Sequence, residues 1–202
     1  MIATELFYDQ ERKGIYRGDV RLTGVTSVIK SVIPTDYSGV DPAVLENARL
    51  RGVELDALFS AYVSGTLTEI PAGTRKDVYD PDTGDGLLQK LMPWWDAQGF
   101  GLVRTQVMLA DDTVAGTCDI LGAEMILDLK AVSKLQPTYG LQLGAYFELA
   151  DDAGIKTLGV IHVTAALKTP KLVRYDVEQC FSDWTAIRRA WSVAKRLGGK
   201  ER

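Results

Sequence analysis

Apolar and polar positions along this chain alternate in two rhythms. The helical rhythm comes first. Leu55, Leu58, Phe59 and Tyr62 fall at i, i+3, i+4 and i+7, the stripe of a helix packed on a core. Asp41-Pro42 supplies its start, an N-cap followed by proline at the first helical position. Leu87 to Gly99, Pro137 to Ala150 and Phe181 to Leu197 read as further helices, the last with Trp184, Ile187, Trp191 and Ala194 on one side. The period-two rhythm of strands occupies 102–109, 113–121, 125–131, 157–165 and 172–175. At the N-terminal end, Leu6 to Leu22 reads as a short hairpin carrying Tyr8, Ile15, Tyr16 and Val20. The following GVTSVIKSVI predicts a short helix, capped by Thr26 or Ser27 and stopped by Pro34. Pro71 to Gly86 is polar and rich in turn residues, and is expected to be a mobile loop.

Helices, then three strands, a helix, further strand and a last helix predict an α/β fold, a mixed central β-sheet flanked by helices. With 202 residues and no repeat or linker, the chain is expected to be one domain, 1–202. A hairpin and helices would occupy 1–70, the loop 71–86, the core of the sheet 100–175 and the closing helix 181–197.

Composition narrows the function classes. Hydrophobic residues are 46% and charged residues 25%, as in an ordinary globular protein. No stretch approaches the roughly 20 apolar residues of a bilayer span, so no membrane partner is expected. MIATELFYDQERKG meets charge too early for a secretory signal, which predicts a location in the cytoplasm of whatever cell makes it. Cys118 and Cys180 form no CxxC pair, which argues against disulfide, zinc and iron–sulfur chemistry. The formal net charge of −4 argues against a general nucleic-acid coat protein. It does not argue against an enzyme that spends carboxylates on metal ions, because the ions return positive charge to the site. The tail RRAWSVAKRLGGKER is locally basic, either a solvated helix end or a contact to a nucleic-acid backbone.

The chemistry lies in TVAGTCDILGAEMILDLKAV. Two strand-like runs meet at Gly122-Ala123-Glu124 and should form a hairpin. A two-residue loop on Ala123-Glu124 sets Asp119 directly opposite Asp128; a loop on Gly122-Ala123 makes them diagonal neighbours. Either way both point to one face, and Lys130 joins them because side chains alternate. Paired carboxylates raise each other's pKa unless a cation lies between them. A hard divalent ion takes oxygen ligands of this kind, and a neighbouring lysine can orient water or stabilise charge on a phosphate. On an exposed strand the same residues would be an ordinary ion-pair ladder. Here the charges interrupt the apolar run MILDL, and burying them is costly unless they are paired or hold a metal.

TCDI, ILDLKA and LQLGAYFEL together resemble the core of the PD-(D/E)xK nucleases, in particular the RecB-like and phage exonuclease branch. The resemblance implies a restriction-endonuclease-like core. It implies a Mg2+ site, with Mn2+ as a substitute, on Asp119, Asp128 and the carbonyl of Leu129, with Lys130 catalytic. Gln142 and Tyr146 match the QxxxY of that branch and are expected beside the catalytic residues. RGVELDALF stands where the family carries a helix with a metal-binding histidine. That position is Asp56 here, with Glu54 as the competitor; the departure leaves the ligand on the helix open. GVTSVIKSVI resembles the stretch that opens many such domains, so the likeness touches residues 23–33, 51–59 and 116–148.

The implied activity is Mg2+-dependent hydrolysis of DNA, most readily as an exonuclease in phage or bacterial recombination, repair or processing. The implied partners are DNA, further copies of the chain and a recombination partner protein. A structure-specific endonuclease, or a non-catalytic DNA- or protein-binding member of the fold, are the alternatives. Gly140 and Gly144 are expected to let their helix approach the sheet closely. His162 lies in an apolar run and reads as structural, and no P-loop or nucleophile elbow occurs. Trp94-Trp95 reads as core or dimer contact, with base stacking as the alternative.

Overall fold

The computed structural model describes residues 5–198. The first four residues of the leader reading and the last four of the basic tail lie outside that range. Three short antiparallel strands, β1 (Leu6–Asp9), β2 (Gly14–Arg17) and β3 (Val20–Arg21), replace the expected hairpin. The extra turn forms because Gly18 takes positive φ and sends the chain back along β2.

The main sheet has six strands, β4 (Thr23–Gly24), β5 (Val103–Ala110), β6 (Val114–Gly122), β7 (Met125–Lys130), β8 (Thr157–His162) and β9 (Lys171–Tyr175). Their order is β4-β6-β7-β8-β9, with β5 also paired to β6. The sheet is mixed: β4–β6 and β7–β8 are parallel, the other ladders antiparallel.

Five helices cover the two faces. They are α1 (Val25–Val32), α2 (Pro42–Val63), α3 (Leu87–Gln98), α4 (Thr138–Ala150) and α5 (Val177–Arg196). Val28, Leu143 and Trp184 of α1, α4 and α5 are fully buried on one face with Ile126, Leu158 and Val160 of the sheet. Leu55, Phe59, Leu88 and Leu91 of α2 and α3 bury against Ile120, Leu127 and Ile161 on the other. Each such burial contributes about 1.5–3 kcal/mol. The sandwich is therefore an α/β fold with a mixed central sheet between helices. Among the described residues no helix is long and apolar enough to cross a membrane.

Several local expectations shift. Helix α1 starts at Val25, before either proposed cap residue, because β4 hands it directly over at Gly24, which has no side-chain cap. Helix α5 starts at Val177, ahead of its apolar stripe, because the Asp176 side chain accepts from the Gln179 amide at 2.7 Å. Asp41 caps α2 as expected, accepting from the Ala43 amide. Gly140 lets α4 close on the sheet, since a Cβ there would press on the Tyr175 ring of β9 as well as on Cys180 of α5, whereas Gly144 faces α5 alone. A Cβ at Gly144 would overlap the backbone carbonyl of Cys180, so the glycine sets the spacing of α4 and α5. The sheet also supplies a glycine, Gly116, whose missing side chain makes room for the Tyr146 ring. Trp95 packs edge-on to Phe59 and lies 4.9 Å from Phe100, so this aromatic pair belongs to the core. Loop 71–86 is pinned by the fully buried Val78 and by Gln89 of α3, which bonds Asp80 and Gly86.

Candidate active site

The site is built on one rung of the sheet. Ile120 faces Leu127 and Leu121 faces Ile126, the register of a loop on Ala123-Glu124. The next rung sets Asp119 opposite Asp128, but the backbone ladder stops before it. The two strands splay there. The Leu129 amide donates to Asp119 Oδ2 at 2.8 Å, so a carboxylate replaces the missing backbone acceptor.

The same rung is broken on the other side of β6. Thr105 pairs with Ile120 and Val107 with Cys118, which leaves Gln106 opposite Asp119 without a backbone pairing. Gln106 has φ of 51°, the left-handed region. For a residue other than glycine this costs about 1–2 kcal/mol. Side chains change faces at this rung. Val107 and Cys118 pack with α1, α4 and α5, whereas Val103 and Ile120 pack with α2 and α3. No residue is inserted, so the strained rung itself absorbs the switch.

Helix α2 approaches this rung with Asp56 and Ser60, one turn apart. Gln106 Nε2 donates to Asp56 Oδ2 at 2.9 Å and to Ser60 Oγ at 3.2 Å. Glu54 is two residues back, about 200° around the helix. Its carboxylate accepts from the Arg75 amide of the loop at 3.3 Å. Asp56 thus joins the sheet carboxylates, and Glu54 does not. Helix α4 brings Tyr146, whose hydroxyl accepts from Gln142 Nε2 at 2.8 Å, and Tyr139, whose ring lies 5.1 Å from Lys130 Nζ.

Asp128 is the anomaly. It is 1% exposed, and neither carboxylate oxygen has a hydrogen-bond partner. The Lys130 ammonium, with Nζ 2.5 Å from Oδ2, is its charged partner. Buried carboxylates that no amide or hydroxyl donates to are rare, because each lost hydrogen bond keeps its desolvation cost.

The charges interact as one group. Burial and the Asp128 charge raise Asp56 to about 6, against the opposing pull of Lys130 and the bonds from Gln106 and Ser60. Burial, then Asp128 and Asp56, push Asp119 well above the usual carboxylate range. Burial also raises Asp128, with Lys130 opposing. For Lys130, burial works against the charge, but Asp128 and Asp119 outweigh it and hold the ammonium above its ordinary value. Burial, followed by Asp128, lifts the Tyr146 hydroxyl, so it stays protonated and able to donate.

Among the described residues, no three His, Cys, Asp or Glu side chains stand close enough to form a ready-made metal cluster. The chemistry of the donors nonetheless fits a hard divalent cation: three carboxylates close in charge, one of them buried with no amide or hydroxyl donating to it.

The expected residues Asp56, Asp119, Asp128 and Lys130 gather at the splayed rung; Tyr146 lies within reach of the Asp128 charge, and Gln142 bonds Tyr146. Leu129 joins them through its amide. Sequence reasoning missed Gln106, Ser60 and Tyr139. A lone glutamine in a strand carries no signal of a left-handed backbone. Tyr139 could have been found, since it lies one turn before Gln142 on the same helix.

No family model matches the sequence, and no curated protein matches it. The fold is similar to the crystal structure of a candidate exonuclease from Eubacterium rectale. The TM-score is 0.55 at 13% identity, over 89% of this chain and 82% of that one. At that identity the likeness concerns the fold.

Proposed function

We propose that this protein is a metal-dependent deoxyribonuclease of the PD-(D/E)xK type, RecB-like branch. The observation that carries the reading is Asp128, a buried carboxylate that no amide or hydroxyl donates to, set against the Lys130 ammonium and close in charge to Asp119 and Asp56. A structural ion-pair ladder would surround both oxygens with donors; here no amide or hydroxyl donates to them beside the Lys130 contact, which leaves coordination for a cation. Asp119, Asp128, Asp56 and the Leu129 carbonyl would hold Mg2+, or Mn2+ in its place. When bound, such an ion supplies Lewis-acid polarisation of the scissile phosphodiester. Lys130 keeps its proton and orients the attacking water or stabilises developing phosphate charge. Tyr146, held by Gln142, keeps its own O–H for a phosphate oxygen. The neighbour's description as a candidate exonuclease makes attack from DNA ends the mode to test first, in recombination, repair or phage DNA processing.

The test is cleavage of linear and closed circular DNA with Mg2+, Mn2+ or EDTA, alongside Asp128→Ala and Lys130→Ala. The reading expects metal-dependent loss of linear DNA with circles intact, and loss of activity in both variants. Cut circles would make it an endonuclease. Inactivity with every metal, or activity surviving both substitutions, would sink the reading.

A further inference from the structure

Gln106 stands on the same rung as Asp119 and Asp128, on the strand next to them, yet it is neither acid nor base. Three independent features single it out. Its backbone is left-handed, at φ of 51°, where a glycine or asparagine would be the easier residue. Its rung lacks the backbone pairing found on both sides of it. Its side-chain amide spends its N–H donors on Asp56 and Ser60, two residues of a helix about 50 positions earlier in the chain.

A strained residue persists only when its surroundings over-determine it, and such residues concentrate at functional sites. The strain at Gln106 has a visible product. It turns the amide off the sheet and toward α2, where an extended residue would continue the alternation of β5. We infer that Gln106 is a positioning residue: it fixes the carboxylate of Asp56 against the sheet carboxylates and so completes the cation site. A neutral donor suits this task. A lysine or arginine would bring a charge that competes with the cation for Asp56, whereas an amide orients one oxygen and leaves the negative charge in place. Ser60 shares the amide and keeps it from following Asp56 if that side chain moves. The inference rests on the metal-dependent reading of the site and adds to it the group that preorganises the ligand on the helix.

The experiment separates the two. Mn2+ binding to the whole protein is measured by calorimetry, without DNA, for the wild type, Gln106→Gly, Asp56→Asn and the double variant. Melting temperature and DNA cleavage are followed in parallel. Gln106→Gly relieves the left-handed strain, so its melting temperature without metal should equal or exceed that of the wild type. Its Mn2+ affinity should nevertheless fall by about 10- to 100-fold. The metal concentration for half-maximal cleavage should rise alike, with KM for DNA unchanged. In the Asp56→Asn background the same substitution should change nothing further, the signature of action through Asp56.

Unchanged Mn2+ affinity in Gln106→Gly, or an equal loss in the Asp56→Asn background, overturns the inference. If the wild type binds Mn2+ but does not cut DNA, the nuclease reading falls alone and calorimetry still decides the role of Gln106. If the wild type binds no divalent ion, both fall. Should Gln106→Gly fail to fold, Gln106→Asn gives the same reading, because asparagine tolerates the left-handed backbone but is one carbon shorter.

Discussion

Two clusters of charge in this molecule are built by opposite rules. At the junction of α4, α5 and the β5–β6 turn, Arg188 bonds Glu148 at 2.5 Å, Thr113 at 3.0 Å, and Asp111. Glu148 also accepts from Trp184 Nε1 at 2.6 Å, and Asp111 accepts from the Thr113 and Val114 amides. Burial opposes the charge of Asp111, but those amides and Arg188 outweigh it and hold the carboxyl below its ordinary value. On the splayed rung the acids are raised instead, and no amide or hydroxyl donates to Asp128, whose partner is the Lys130 ammonium. The first cluster is closed and its charges tie elements together. The second is open, and its unmet demand is the reason to assign it a ligand.

The sharpest way to break this contrast is Asp128→Asn. Cleavage should fall about a thousandfold or more, while stability holds or rises by about 1 kcal/mol because a buried charge is removed. Rate assays and thermal melts on the same preparation check both halves. A melt that drops steeply would make Asp128 a structural residue.

Glu148→Ala should do the reverse. Removing one partner of a partly exposed network should cost about 2–3 kcal/mol, less than for a fully buried one. The rate per folded molecule should stay near that of the wild type. A denaturant titration beside an activity assay reads it out.

Acid should act in opposite directions on the two clusters. Asp56 is raised to about 6 in the folded protein, above the 3.8 of an ordinary Asp, so folding binds protons between those values. Metal-free protein should therefore gain stability from this group as pH falls from 7.5 to 5, and Asp56→Asn should flatten that gain. Asp111 is lowered, so its contribution is present above its ordinary pKa and lost as pH falls further. Divalent binding must displace the proton on Asp56, so the metal-induced rise in melting temperature should shrink below about pH 6. A melt series over pH with and without Mn2+ tests all three slopes.

The smallest effect belongs to Glu54→Gln. Its carboxylate serves one loop amide at 3.3 Å, so stability should move by no more than about 0.5 kcal/mol, and metal affinity should not change. A tenfold loss of Mn2+ affinity would return Glu54 to the site in place of Asp56.

The parts legible in the sequence are those fixed by short-range rules. Hairpin parity placed Asp119 and Asp128 opposite each other, and the observed register is one of the two it allowed. The stripe of α2 carried Asp56 to the sheet, while its period left Glu54 on a different side. What stayed hidden depends on partners distant in the chain. Arg188 and Asp111 are 77 residues apart, and nothing local pairs them. Gly144 reads as a small residue on a helix until Cys180 of α5 arrives against it. Gln106 sits in RTQVM as an unremarkable polar strand position, and only the interrupted ladder on both sides of Asp119 exposes its backbone.

The Leu129 amide gives this centre a resonance of its own. Because its proton points at the Asp119 side chain and not at a backbone carbonyl of the neighbouring strand, its chemical shift and its solvent exchange answer to one carboxylate. A nitrogen-15 label at leucine would thus report the ionisation of Asp119, or its engagement by a cation, with no nucleic acid in the tube.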